Sequence, residues 1–398
     1  MRLVLFAGAG AAGTATAAAA TAALLTARGV KTLVVAADPD GGLADVLGVS
    51  LGPEPNELDT GLVAVTLDRQ RAFEGVWERS GRALAPLFAA GAPTPEEIPV
   101  LPGMAEVLAL AEIRTLVGSS RYDAVVVDAG PAEYALRMLA LPATLAWYVE
   151  QLAPTHLRML RAAAAPAGAE ENPFDVACRA HHELAQLRTL LTAEVSSVRL
   201  VVRPDRAGVV AFRRALTQLA LLGHQVDGVL AGGILPAEAA TGWAAEAVVA
   251  QRAALAQVRA AVPGVSVRSL PYQPTERVGP RALLEVGTAV YGDDDLLAGP
   301  PPAQLVSVEP AGAEYVLRMT LPFVDRSQVR LARSGDDLVV TVGEARRLLP
   351  LPSGLRRCEA VGARVVDGAL QVRFRPDPDL WPRSGPADGR YPEPGERR

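Results

Sequence analysis

The chain of 398 residues contains a single lysine, Lys31, although lysine and arginine together number 39. Chemistry that needs two ammonium groups in one chain is therefore excluded. Two cysteines, Cys178 and Cys358, rule out a disulfide framework and a four-cysteine zinc site. Aromatic residues make up 5% of the chain, too few for a base-stacking platform, and the net charge of −5 argues against binding through nucleic-acid phosphates. No nucleic-acid partner is expected. Of the four histidines, His181 and His182 lie near Cys178 and Glu183. Adjacent histidines leave a helix on different sides, so no metal site is expected there. No run of about 18 apolar residues is free of glycine, proline or charge, so no integral membrane segment is expected. The first 23 residues imitate a secretory signal, but one charge and Gly8, Gly10 and Gly13 fit a strand, a glycine turn and an alanine-rich helix better. A cytoplasmic location follows as the expectation.

What the chain does have is apolar residues, at 50%. Short β-branched runs at 2–6, 31–36, 124–127, 198–202, 226–230 and 265–269 read as strands buried on both faces. Helical patterns at 15–28, 105–116 and 209–222 alternate with them. The alternation predicts an α/β fold with a doubly wound, mostly parallel sheet. Segments at about 70–118 and 134–196 exceed a simple crossover and predict helical insertions above the strand ends. This first domain is expected to span 1–297, followed by a proline-rich linker over 298–313. Six short strand patterns at 314–319, 329–332, 337–342, 346–351, 363–366 and 369–374 predict a small all-β sandwich over 314–376. The proline- and charge-rich tail over 377–398 reads as disordered.

Gly8-Ala9-Gly10-Ala11-Ala12-Gly13 follows a strand and opens a helix, the setting of an anion cradle. The spacing fits a dinucleotide fingerprint, but the acidic residue that should follow about 20 positions on is Asp38, 25 past Gly13. A mononucleotide loop is the competing reading, and a turn that merely packs helix on strand is a third. The order of later segments separates them. Ala37-Asp38-Pro39-Asp40 ends the second strand, Val127-Asp128-Ala129-Gly130-Pro131 ends a later one, and Leu136-Arg137-Met138-Leu139-Ala140-Leu141-Pro142 follows. Pro102-Gly103-Met104-Ala105-Glu106 lies between them. This run, covering residues 1 to about 295, resembles the ArsA family of anion-transporting ATPases and tail-anchored-protein-targeting ATPases. Leu321-Pro322, Asp336-Asp337-Leu338-Val339-Val340 and Leu348-Leu349-Pro350-Leu351-Pro352 resemble the α-crystallin-like domain of small heat-shock proteins, which one branch of the family carries. The resemblance implies P-loop NTPase topology, ATP or ADP with magnesium as cofactor, and a dimer. It also implies hydrophobic client helices, with 107–116, 136–145 and 157–165 as candidate platform stripes. Gly8, Gly10, Ala12, Gly13, Thr14, Ala15, Thr16, Pro131 and Gly232 then fall at nucleotide-binding positions, and Asp38 and Asp128 at catalytic carboxylate positions.

The departures matter as much. Where the family's loop carries two lysines, this chain has Ala9 and Thr14, and the magnesium-binding hydroxyl becomes Ala15. The adenine-reading asparagine falls on Gly232, and Asp40 and Glu133 add negative charge near the loop. Removing one preorganised donor costs about 10²- to 10³-fold in rate. The expectation is a pseudo-ATPase with weakened nucleotide binding, acting as a homodimer or as a heterodimer with an active paralogue. An active ATPase with unusual loop chemistry and a dinucleotide-binding protein stay open as alternatives.

Overall fold

The computed structural model describes residues 1–10, 13–38, 40–88, 93–164, 172–299 and 305–378. Ala11, Ala12, Pro39 and the tail beyond 378, expected to be disordered, lie outside the described residues. The chain divides into two compact units, Met1–Ala303 and Gln304–Arg398.

The first unit runs β1 (Arg2–Ala9), α1 (Thr14–Ala27), β2 (Thr32–Ala36), α2 (Leu43–Leu47), β3 (Asn56–Asp59), β4 (Leu62–Thr66), α3 (Arg69–Leu84), α4 (Met104–Gly118), β5 (Ala124–Pro131), α5 (Ala132–Leu152), α6 (Thr155–Ala164), α7 (Pro173–Thr192), β6 (Ser196–Val202), α8 (Arg206–Leu222), β7 (Val226–Ile234), α9 (Ala245–Ala261), β8 (Ser266–Pro271) and α10 (Pro280–Tyr291). The strands form one sheet in the order β3-β4-β2-β5-β1-β6-β7-β8, parallel except for the edge strand β3. All six expected strands are present. The hairpin of β3 and β4 was not foreseen: β3 is only four residues, polar and largely exposed, and carries little strand signal.

Alternate residues of β1 explain the layers. Leu3, Leu5, Ala7 and Ala9 join one core with buried residues of α4, α5, α7, α8 and α9, while Val4 and Phe6 join the other with α1, α2 and α10. This corrects the expectation for the helical insertions. Leu110 and Ile113 of α4, Met138 and Leu139 of α5 and Leu187 and Leu191 of α7 pack on the sheet as a helical layer rather than standing above the strand ends. The stripes at 107–116 and 136–145 are thus spent mainly on the core. By contrast Leu152, Met159 and Leu160, at the end of α5 and on α6, are 82%, 68% and 65% exposed.

Beneath the sheet's centre lies a buried charge cluster. Asp227 accepts from Arg199 through both carboxylate oxygens, at 3.1 and 2.9 Å, and pairs with Arg2 at 3.3 Å. Ser197 donates to the same carboxylate, and Arg199 also donates to Tyr291, which bonds to Thr21 of α1. Burial works against the Arg199 charge, but Tyr291 and Asp227 hold its pKa above the ordinary value.

The second unit contains β9 (Val306–Ala311), β10 (Glu314–Thr320), β11 (Val329–Ser334), β12 (Asp337–Val342), β13 (Ala345–Pro350), β14 (Cys358–Val366) and β15 (Ala369–Pro376). They form an antiparallel four-stranded sheet, β14-β15-β10-β9, and a three-stranded sheet, β11-β12-β13. Leu317, Met319, Leu338, Val340, Val372 and Phe374 are buried. The expected linker is corrected here. Its second part is β9, which pairs with β10 from Val306↔Met319 to Ala311↔Glu314, and its alternation is masked by Pro310.

Asp227→Ala leaves two buried guanidinium groups uncompensated, and chemical denaturation should show a loss of about 3–5 kcal/mol. Asp294→Ala, which breaks the more exposed pair with Arg268, should cost no more than about 1 kcal/mol.

Candidate functional site

The glycine loop leaves β1 at the carboxyl edge of the sheet. Gly10 and Gly13 adopt left-handed backbone, with φ of 82° and 87°, which only glycine holds cheaply. Close packing adds a second reason at Gly10 and requires glycine at Gly8. A Cβ on Gly10 would lie 2.8 Å from Gly208 Cα of α8, and one on Gly8 would run into Thr14 Oγ1. Thr14 opens α1 and folds its hydroxyl back towards the end of β1. Ala9, where the resemblance puts a lysine, is fully buried in the core beside Val202. Ala15 and Thr16 follow in the first turn of α1, half-buried.

Strand β5 lies between β1 and β2, with Asp128 level with Phe6 on one side and Ala36 on the other. Asp38 follows β2, and its N–H approaches the Asp128 carbonyl at 3.4 Å. The side chains of Asp38 and Asp128 come together through small neighbours. A Cβ on Gly130 would collide with the Asp38 carboxylate, and one on Gly41 would sit between Asp38 and Asp128 Oδ2. Asp128 is 2% exposed, and its Oδ1 accepts from Gly130 N–H at 3.2 Å. Burial first, and the Asp38 charge second, push its pKa up from 3.8 to about 6 against the pull of that hydrogen bond.

The structure thus gathers Gly8, Gly10, Gly13, Thr14, Asp38, Asp128 and Pro131 at the carboxyl ends of β1, β2 and β5. Ala12 lies outside the described residues. Gly232 is buried on β7, with β6 between it and β1. The interposed β5 also removes the geometry of a dinucleotide fingerprint, which needs the first two strands side by side. Asp38 faces Asp128 and Gly130 instead.

Arg69 and Gln251, near the site, escaped sequence reasoning. Arg69 donates to the Ala37 carbonyl and lies 5.7 Å from the Tyr134 ring centre. Arg69 follows β4, a strand not foreseen, so nothing placed it near Asp38. Arg203 pairs with Asp205, and its N–H approaches the Ala9 carbonyl at 3.4 Å. Gln251 donates to Gly233 O and accepts from Leu235 N–H, holding the end of β7. The Asp205–Gly208 capping pair was the one legible signal, an aspartate three residues before the N–H it caps.

Lys31 cannot serve this site. It precedes Thr32, whose partner Ala124 also pairs with Arg2, so it stands at the amino edge of the sheet. From Arg2 to Gly8 the strand climbs about 20 Å at about 3.3 Å per residue. As a donor set for a triphosphate, the described residues offer backbone amides and hydroxyls beside two close carboxylates. Arg69 and Arg203, both close to the site, are already engaged.

The anion-transporting ATPase family model matches residues 1–292, and that of the HSP20-like domain found in ArsA matches 312–374. Protein Rv2184c of Mycobacterium tuberculosis is 34% identical, covering 96% of this chain and 97% of its own length. A putative arsenical pump-driving ATPase of Chlorobaculum tepidum is 28% identical over 94% of this chain and 96% of its own. The ATPase GET3 of Malassezia globosa is 31% identical over 28% of this chain and 34% of its own.

Because Asp128 keeps its proton to higher pH in the folded state than in the unfolded state, stability should fall as pH rises from about 4 to 6. Asp128→Asn keeps the acceptor for Gly130 and removes that charge. Thermal unfolding should show the variant more stable than wild type at pH 7.5, by up to about 3 kcal/mol, with the gain gone at pH 4.

Proposed function

The chain belongs to the anion-transporting ATPase family, and we propose that it is a member that has given up ATP hydrolysis and works as a binding subunit. The observation that carries this reading is the distance between the only lysine and the glycine loop. Phosphoryl transfer depends on cations that neutralise charge spread over the β- and γ-phosphates. Here Thr14 stands where the Walker lysine would, Ala9 is buried, and Ala15 supplies no hydroxyl for magnesium. Asp38 and Asp128 sit together beside the loop, and their charges oppose a polyphosphate. On this reading Asp38, the candidate base, has no held γ-phosphate to serve.

The binding role rests on a separate observation, the apolar surface at the end of α5 and on α6. Tyr148 is 52% exposed, and Leu152 at the end of α5 and Leu157, Met159 and Leu160 on α6 are exposed apolar side chains as well. Such a surface suits a hydrophobic helix of a client, as in a chaperone or targeting factor, with a homodimer or a heterodimer with an active paralogue as the working assembly.

Purified protein should release no more phosphate from ATP with magnesium than its Asp38→Asn variant does. Steady release that Asp38→Asn abolishes would establish the alternative of an active ATPase with unusual loop chemistry. Met159→Asp with Leu160→Asp should weaken suppression of aggregation of an apolar-helix client without changing the fold by circular dichroism. Unchanged suppression contradicts the client face.

A further inference from the structure

We propose that the exposed face of α8 is a docking site for an acidic amphipathic helix of a partner protein. Arg206, Val210 and Arg214 recur every four residues and so share one stripe of the helix. Eight residues at about 1.5 Å each separate the two arginines by about 12 Å along the axis. Val210 between them is 52% exposed. With Ala207 and Ala211 the stripe lines a shallow concavity of about 420 Å³. The alanines make a low lane in which a second helix approaches closely, and the arginines stand at its ends.

Charge names the occupant. The 17 residues of α8 include Arg206, Arg213 and Arg214 and no acidic residue, in a chain whose net charge is −5. Asp205, the nearest carboxylate in sequence, is spent: Oδ1 caps Gly208 N–H at 2.7 Å and Oδ2 pairs with Arg203. Arg206 and Arg214 take part in no ion pair among the described residues. Arg206 moreover occupies the first turn, where the helix dipole disfavours a cation. Folding gains nothing from a positive charge there, whereas a carboxylate brought from outside meets both the guanidinium and the helix's positive end. The matching ligand is a helix presenting Glu-x-x-x-Leu-x-x-x-Glu, with its leucine on Val210 and the alanine lane and its glutamates on the two arginines. This surface does not depend on whether the glycine loop binds or splits ATP.

The test is fluorescence anisotropy with the full chain and three labelled helical peptides: Glu-x-x-x-Leu-x-x-x-Glu, the same with lysine for glutamate, and the same with serine for leucine. The acidic leucine peptide should bind most tightly and weaken as salt rises. Arg206→Glu with Arg214→Glu should lower its affinity at least about tenfold and reverse the preference towards the lysine peptide. Val210→Asp, a surface change that spares both arginines, should also lower it. Equal binding of the acidic and basic peptides, or affinity unmoved by either variant, overturns the proposal. Self-association in sedimentation that disappears in the double arginine variant also overturns it, because the occupant would then be a second copy.

Discussion

The polarity of a parallel sheet governs this molecule. Every strand of the sheet except the edge strand β3 runs the same way, so one edge collects the loops that follow the strands and the other collects the returns. A residue that enters a strand at its amino end is removed from the site by the full length of that strand. Lys31 is such a residue. No rotamer of its side chain crosses a strand five residues long, and no other lysine exists to replace it. The consequence for phosphate chemistry is set by topology rather than by the fine geometry of the loop.

The surroundings of the loop agree with the proposed loss of hydrolysis. Gly8, Gly10 and Gly130 still permit the close approaches of an anion cradle, with Thr14, Gly208 and Asp38 respectively. The charged side chains gathered beside it are the carboxylates Asp38 and Asp128. Asp128 is buried with no cation paired to it among the described residues, and its raised pKa is the cost of that position. Ala9, which the resemblance matches to a lysine, is fully buried. It is part of the core, where a lysine would have to leave water. Meanwhile the scaffold carries its own buried charges well paired, as Arg2, Arg199 and Asp227 demonstrate. The difference between the two clusters is the presence of partners.

How much of this was legible in the sequence varied with the kind of signal. The buried parallel strands were readable because each is a continuous β-branched run. So was α1, whose start follows from Gly13 and whose alanines pack on both sheet and α10. Strand β3 was not, since Asn56-Glu57-Leu58-Asp59 is polar and pairs on one side only. Strand β9 hid behind the proline run of the expected linker. At the site, Asp38 and Asp128 were found through the order of motifs. Their mutual contact depends on the order of strands, with β5 between β1 and β2, and no local pattern reports that order. Arg69 was illegible for the same reason, since its place beside Ala37 and Tyr134 is created by long-range packing.

The most direct measurement is isothermal titration of ATP with magnesium into the wild-type chain and into Thr14→Lys, the substitution that returns an ammonium group to the start of α1. The account predicts weak or undetectable heat for wild type and clear, saturable binding for the variant. Tight binding by wild type, unchanged by the added lysine, would contradict it.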